Sequence, residues 1–167
     1  MRNIEIKAQY ADFVHARECV EKLKGKYLET IQQRDVYFQV ASGRMKLRYI
    51  EGKMAYLVAY KRDNQQEVRE SEYYIYETES PEKLEQALLA VHHILATVEK
   101  VREVHLIDNV RVHLDQVEGI GQFIEFEAVL VAGKQADGEK EKLENYIAMF
   151  EIERENLIDC SYLDMVL

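Results

Sequence analysis

Ionisable side chains alternate with apolar ones along several short segments of this chain. In Asn3-Ile4-Glu5-Ile6-Lys7, an extended backbone puts Glu5 and Lys7 on one side and Ile4 and Ile6 on the other, because strand side chains alternate with period two. The same spacing groups Lys46 with Arg48, Lys100 with Arg102, Arg111 with His113 and Asp115, and Glu125 with Glu127. Cations predominate, with a few carboxylates among them. Arginine offers paired N–H donors to phosphate oxygens, and lysine a compact point charge. Carboxylates suit hard cations such as Mg2+, which take oxygen ligands, often one or two carboxylates plus phosphate oxygens. If the charged faces converge, they make a cavity suited to a polyphosphate chelated to a divalent metal.

The elements that must position these residues can be read from the pattern. Strands are expected near 2–10, 27–40, 44–51, 54–62, 67–78, 97–107, 110–117 and 122–132. Turn signals separate them at Ser42-Gly43, Glu51-Gly52, Asp63-Asn64 and Asp108-Asn109. Residues 12–24 switch to a helical period, with Phe13, Ala16, Val20 and Leu23 on one face and Gly25 as the stop. Ser80-Pro81-Glu82 starts a second helix, with Leu84, Leu88, Val91 and Leu95 as its apolar stripe to about residue 95. An acidic helix follows over 135–150, and the tail from Asn156 to Leu167 is expected to pack back. No Pro- or Gly-rich linker interrupts the chain, so residues 1–167 read as a single domain.

Eight antiparallel strands can close into a barrel and remove their edges. The amphipathic helices need an apolar sheet face to cover, which sends the charged faces inward. The expected fold is therefore α+β: an eight-stranded antiparallel barrel, or tunnel, with a charged lumen and about three flanking helices. The lumen would collect Glu5, Lys7, Arg34, Lys46, Arg48, Lys61, Arg69, Lys100, Arg102, Arg111, His113, Asp115, Glu125 and Glu127. Cations buried without compensation are prohibitive, so these must meet either solvent or anions. One alternating charged strand is ordinarily a solvated sheet face. Repetition over several strands, with mostly positive sign in a chain of net charge −9, favours the tunnel.

The acidic balance argues against nucleic acid as a partner, since that binding rests on a basic footprint. Cys19 and Cys160 form neither a metal-ligand spacing nor a disulfide framework, which fits free thiols and a cytoplasmic location. The chain opens directly on a strand pattern with no apolar signal region, and its apolar runs are too short to cross a bilayer, so no membrane is expected. Gly119-Ile120-Gly121 has no helix after it and is no phosphate loop, and Ser161 has no nucleophile-elbow motif around it.

The ordered set of segments resembles the CYTH superfamily, the triphosphate tunnel metalloenzymes, which include class IV adenylyl cyclases and thiamine triphosphatases. Asn3-Ile4-Glu5-Ile6-Lys7 is similar to its Glu-x-Glu-x-Lys signature. Gln33 to Phe38 resembles its second strand, Gly43 to Arg48 its basic third strand, and Lys100-Val101-Arg102 its later basic pair. Val112 to Glu127 is the closest stretch, and Cys160-Ser161-Tyr162-Leu163-Asp164 resembles the Ser-Tyr tail of the class IV cyclase branch. The resemblance implies a triphosphate bound with Mg2+ or Mn2+. It implies Glu5, Glu125 and Glu127 as metal ligands with Asp115 near the metal. Lys7, Arg48, Lys100 and Arg102 would hold phosphates, and Lys46 with them, while Arg34, Lys61, Arg69 and Arg111 are added by strand register. Lys7, Glu5 and Asp115 would stand nearest the chemistry, with Lys7 as proton acceptor in hydrolysis because a cation-rich site lowers a lysine pKa.

One departure stands out. The first glutamate of the signature is Asn3, whose amide oxygen coordinates without charge. The tail favours a class IV adenylyl cyclase-like activity, ATP to cyclic AMP and pyrophosphate. The alternatives are a hydrolase of inorganic tripolyphosphate or of a small organic triphosphate such as thiamine triphosphate, and a non-catalytic triphosphate-binding protein. The resemblance also implies a homodimer.

Overall fold

The structure, a computed structural model, describes residues 2–61, 69–130 and 136–167, with side chains over 3–61, 73–130 and 138–167. In chain order the elements are β1 (Arg2–Gln9), α1 (Phe13–Lys22), β2 (Lys26–Phe38), β3 (Arg44–Ile50), β4 (Ala55–Lys61), β5 (Arg69–Thr78), α2 (Pro81–Leu89), β6 (Ile94–Ile107), β7 (Val110–Val117), β8 (Gly121–Val129), α3 (Ala136–Met149) and α4 (Tyr162–Val166). A short 3-10 turn at Arg154–Asn156 leads into α4.

All eight strands pair antiparallel in the order β1-β5-β4-β3-β2-β6-β7-β8, and β8 pairs back onto β1 to close the barrel. The expected α+β barrel is present. Its apolar faces point outward, under the helices. Ile4, Ile6, Val112, Leu114, Ile124 and Phe126 lie beneath α1 and α3 and meet Val20, Leu143 and Phe150. The rings of Phe126 and Phe150 cross edge to face, 4.9 Å between centroids. Val36, Phe38 and Leu47 lie beneath α2 against Leu84 and Leu88. The tail does pack back: α4 sits at one end of the barrel, with Tyr162 and Leu163 buried against Tyr37, Val98, Val117 and Phe123.

Helix α1 begins on Asp12, whose carboxylate accepts a hydrogen bond from the His15 amide at 2.9 Å. Its end separates two tasks expected of one residue. Lys24 takes the left-handed φ of 57°, while Gly25 lies against Val20 and Ile107, where a Cβ would come within 2.7 and 2.8 Å.

The second helix is shorter than its stripe. It ends at Leu89 and not near residue 95, Val91 is exposed, and the next strand starts at Ile94. The long β2 is the reason: Ile94 and Ala96 pair with Phe38 and Tyr37, so ladder pairing overrides the helical period there. The expected turn at Asp63-Asn64 lies outside the described residues.

Candidate functional site

The lumen is a cavity of about 440 Å³. On each strand the inward positions follow one parity. β1 contributes Asn3, Glu5 and Lys7, β2 Gln33, Asp35 and Tyr37, and β3 Lys46 and Arg48. β6 supplies Lys100 and Arg102, β7 Arg111 and His113, and β8 Glu125 and Glu127. Five cations of the expected set, Lys7, Lys46, Arg48, Lys100 and Arg102, thus share one interior.

Two carboxylates organise them in pairs. Asp35 accepts from Arg48 through Nε and Nη2, both at 2.8 Å, and from Lys46 Nζ at 2.8 Å. Asp115 accepts from Arg102 through Nε and Nη2, both at 2.6 Å, from Lys100 at 3.2 Å and from the Tyr162 hydroxyl at 2.8 Å. A third carboxylate, Glu125, lies 3.0 Å from Lys7 Nζ, 3.0 Å from His113 Nδ1 and 3.4 Å from Arg102. Lys7 also stands 4.0 Å from the centroid of the Tyr162 ring, and Lys100 4.8 Å.

Burial would raise the Asp35 carboxyl, but Arg48 and Lys46 together outweigh it and hold the pKa well below the usual carboxylate range. Burial likewise opposes Arg102 and Lys100 at Asp115, and Lys7 and Arg102 at Glu125, and both carboxyls also end lowered. The lysines respond the other way. Burial, reinforced by Arg48, lowers Lys46 to about 8 against the pull of Asp35. Burial, reinforced by Arg102, lowers Lys100 to about 7. Asp115, 3.2 Å from Lys100, raises it, but burial and Arg102 outweigh that pull. Lysine depression by a cation-rich site therefore falls on Lys100 and Lys46.

Oxygen donors for a metal gather on β1 and β8. Glu5 and Glu127 face each other across the ladder, and Glu125 follows on the same face. Asn3 donates its amide N–H to Glu127 Oε1. Its own Oδ1 is buried and has no hydrogen-bond partner among the described residues, an acceptor without a donor. This donor set fits a hard cation. Among the described residues no three His, Cys, Asp or Glu side chains gather closely enough to hold an ion by themselves. Asp115, with both oxygens engaged by Arg102, anchors Arg102 and Lys100; an ion there would have to displace the guanidinium.

Two expected positions fall outside the lumen. Arg34 has the opposite parity to Gln33 and Asp35; it stacks over Tyr49 at 4.2 Å and pairs with Glu85 of α2 at 3.5 Å. Lys61 is exposed, because the inward positions of β4 are Val58 and Tyr60. The side chain of Arg69 lies outside the described residues; its backbone pairs with Glu5. Arg111 stands at the rim, half-exposed and 3.8 Å from Glu127.

Among the lumen residues that the expected site lacked are Asp35, Tyr37 and Tyr162. Asp35 and Tyr37 carried a signal, since they share the parity of Gln33. Tyr162 was marked only by the resemblance of its Ser-Tyr tail, since its contact with Asp115 spans 47 positions of sequence and leaves no local pattern. Arg44 holds α4 in place: it binds both oxygens of Asp164 at 2.9 Å and donates to the Ser161 hydroxyl. Ser161 and Asp164 complete a capping box at the start of α4.

A closed antiparallel barrel with an interior of paired cations and carboxylates defines a tunnel-type anion site. Residues 1–162 match the CYTH domain, and the chain belongs to that family. The family binds triphosphate substrates and in general depends on a divalent metal. A Methanocaldococcus jannaschii protein named "Putative adenylate cyclase" is 24% identical over 174 residues, covering 99% of this chain and 98% of the relative. A Pyrococcus horikoshii protein has the same fold, with a TM-score of 0.87 at 20% identity, covering 97% of this chain and 98% of that one. A Hippeastrum protein described as a "putative adenylyl cyclase" with a dominant triphosphatase activity superposes with a TM-score of 0.67 at 17% identity, covering 98% and 94%. No described helix is long and apolar enough to cross a membrane.

Proposed function

We propose that the lumen binds a triphosphate with Mg2+ or Mn2+ and converts ATP to cyclic AMP and pyrophosphate, in the manner of class IV adenylyl cyclases. The observation that carries the proposal is the convergence of Lys7, Lys46, Arg48, Lys100 and Arg102 on one cavity. The name of the M. jannaschii relative supports the cyclase reading. Lys46 with Arg48, and Lys100 with Arg102, take up phosphate oxygens as their carboxylate partners yield. Bound at Glu5 and Glu127, with the Asn3 amide oxygen nearby, the metal would supply Lewis-acid polarisation of phosphate oxygens. The ribose 3′-hydroxyl attacks the α-phosphorus, the bond to the β-phosphate breaks, and pyrophosphate leaves. The hydroxyl proton needs an acceptor. Lys7, the acceptor expected for hydrolysis, lines the same lumen beside Glu125 and takes that role here, because Lys46 and Lys100 are kept charged by the bound phosphates.

A second reading is hydrolysis of tripolyphosphate or of a small organic triphosphate such as thiamine triphosphate, with water as the nucleophile. The dominant triphosphatase activity of the Hippeastrum neighbour supports it. Product analysis separates the two. Incubation with ATP and Mg2+ or Mn2+ should yield cyclic AMP and pyrophosphate in equal amounts. ADP with orthophosphate would move the assignment to hydrolysis, and binding with no product would leave a triphosphate-binding protein.

A further inference from the structure

Glu125 was expected as a metal ligand, yet both of its oxygens are engaged. Oε1 lies 3.0 Å from His113 Nδ1 and 3.4 Å from Arg102, and Oε2 lies 3.0 Å from Lys7 Nζ. His113 stands between this carboxylate and the next one on β8. The imidazole is buried, and its Nε2 is 3.8 Å from Glu127 Oε2. A carboxylate flanked by Lys7 and Arg102 can only accept, so Nδ1 carries a proton and donates it to Glu125. In the neutral imidazole that leaves Nε2 as a lone pair on the side of Glu127.

Glu127 has one oxygen tied and one open. Asn3 donates to Oε1, while the Arg111 guanidinium stays 3.8 Å from Oε2, beyond hydrogen-bond reach. Because a carboxylate only accepts, the amide nitrogen of Asn3 must face it, and the buried Oδ1 is the atom left without a donor among the described residues. Three lone-pair atoms, His113 Nε2, Glu127 Oε2 and Asn3 Oδ1, therefore belong to one contiguous group of buried or half-buried side chains. The 3.8 Å between Nε2 and Oε2 is too long for a hydrogen bond. It suits two ligands of one ion: with bonds of about 2.1 Å, octahedral ligands lie about 3.0 Å apart at right angles and about 4.2 Å apart in line.

Oxygen donors by themselves do not separate Mg2+ from Mn2+. An imidazole nitrogen does, because Mg2+ keeps to oxygen ligands and dehydrates reluctantly, while first-row transition ions accept imidazole. Asn3 acts in the same direction. An amide in place of a carboxylate removes a charge, which weakens an ion bound by charge more than one that also gains a nitrogen.

Resting on the divalent-metal reading of the lumen above, we infer that His113 binds the metal through Nε2, and that this nitrogen makes the site one for a first-row transition ion such as Mn2+ in preference to Mg2+. Glu125 then acts through the ring. It fixes the tautomer and the orientation of the imidazole, as a carboxylate behind a metal-bound histidine does. Glu127 and the Asn3 amide oxygen share the ion with His113.

The test is pulsed electron paramagnetic resonance of Mn2+ bound to the wild type, with and without tripolyphosphate, in protein grown with or without isotopically labelled histidine nitrogen. The echo should be modulated by a directly bound nitrogen, and the modulation should change with the label. In His113→Gln the modulation should vanish. Calorimetry on that variant should show Mn2+ affinity lowered at least about tenfold, the scale on which disturbing a metal-bound histidine is felt. The preference for Mn2+ over Mg2+ should shrink with it. Tripolyphosphate binding in EDTA should be unchanged in the variant, which checks that the barrel is intact. Bound Mn2+ without histidine modulation in the wild type would overturn the inference, and that result needs no variant. So would an equal loss of Mg2+ and Mn2+ affinity in His113→Gln, or no Mn2+ binding at all. Nitrogen-modulated Mn2+ in a protein that binds no triphosphate would overturn the triphosphate reading and leave the metal assignment standing.

Discussion

Replacing Asp35 with asparagine should weaken the empty protein and strengthen its response to triphosphate. Asp35 is 2% exposed and accepts three charge-assisted hydrogen bonds at 2.8 Å, two from Arg48 and one from Lys46. Removing one member of a buried ion cluster costs about 3–5 kcal/mol, because the remaining charge stays buried without a partner. Lys46 already sits at about 8 and can shed its proton, which holds the cost near the lower figure. In a chain of this size, about 3 kcal/mol lowers the unfolding midpoint by roughly 6–12 °C. Ligand reverses the sign of the comparison. In the wild type a phosphate must displace Asp35 from its cations; in the variant that competitor is gone. Thermal unfolding with and without magnesium tripolyphosphate should show a larger ligand-induced rise in Asp35→Asn than in the wild type. A variant as stable as the wild type without ligand would refute the reasoning. A folded variant with a smaller ligand-induced rise would refute it too, since Asp35 would then be part of the ligand's own contacts.

Affinity for triphosphate should fall as pH rises above about 7. In the free protein Lys100 loses its proton near 7 and Lys46 near 8, and a bound polyanion restores both, so binding takes up protons between about pH 7 and 9. Calorimetry at pH 8 in buffers of different ionisation enthalpy measures that uptake, and its absence would contradict the assignment. Glu5→Gln combined with Glu127→Gln should abolish the Mg2+-dependent part of triphosphate affinity and leave a metal-independent part held by Arg48 and Arg102; calorimetry with and without EDTA reads the difference. Phe150→Ala should cost about 3–5 kcal/mol in denaturant unfolding, because its fully buried ring packs against Phe126 and Tyr146 beneath the barrel.

Period-two alternation made the strands and most inward residues legible in the sequence. It worked for Glu5 and Lys7, Lys46 and Arg48, Lys100 and Arg102, and Glu125 and Glu127, where each charged face is continuous. Charge misled at Arg34 and Lys61, which were placed inward although their parity sends them outward. Arg34 then finds Glu85 on a helix far along the chain, a partner that no local pattern reveals. The same parity should have brought Asp35 inward, and its role as an internal counter-ion follows from it. The end of α2 was missed for a different reason. The stripe of Leu84 and Leu88 continues through Val91 and Leu95, but pairing of Ile94 and Ala96 with β2 takes those residues into the sheet. Tyr162 and the Arg44–Asp164 contact depend on where the tail docks, which is set by tertiary packing against Phe123 and Val98.

The central claim is that the paired lumen cations hold a triphosphate. Titration of magnesium ATP and of AMP into the wild type and into Arg48→Met tests it most directly. One site per chain should appear for ATP, with AMP far weaker, and the Arg48→Met variant should lose at least about tenfold in ATP affinity, the scale of one lost charge-assisted contact. Equal affinity for ATP and AMP, or ATP binding unchanged in Arg48→Met, would contradict the account.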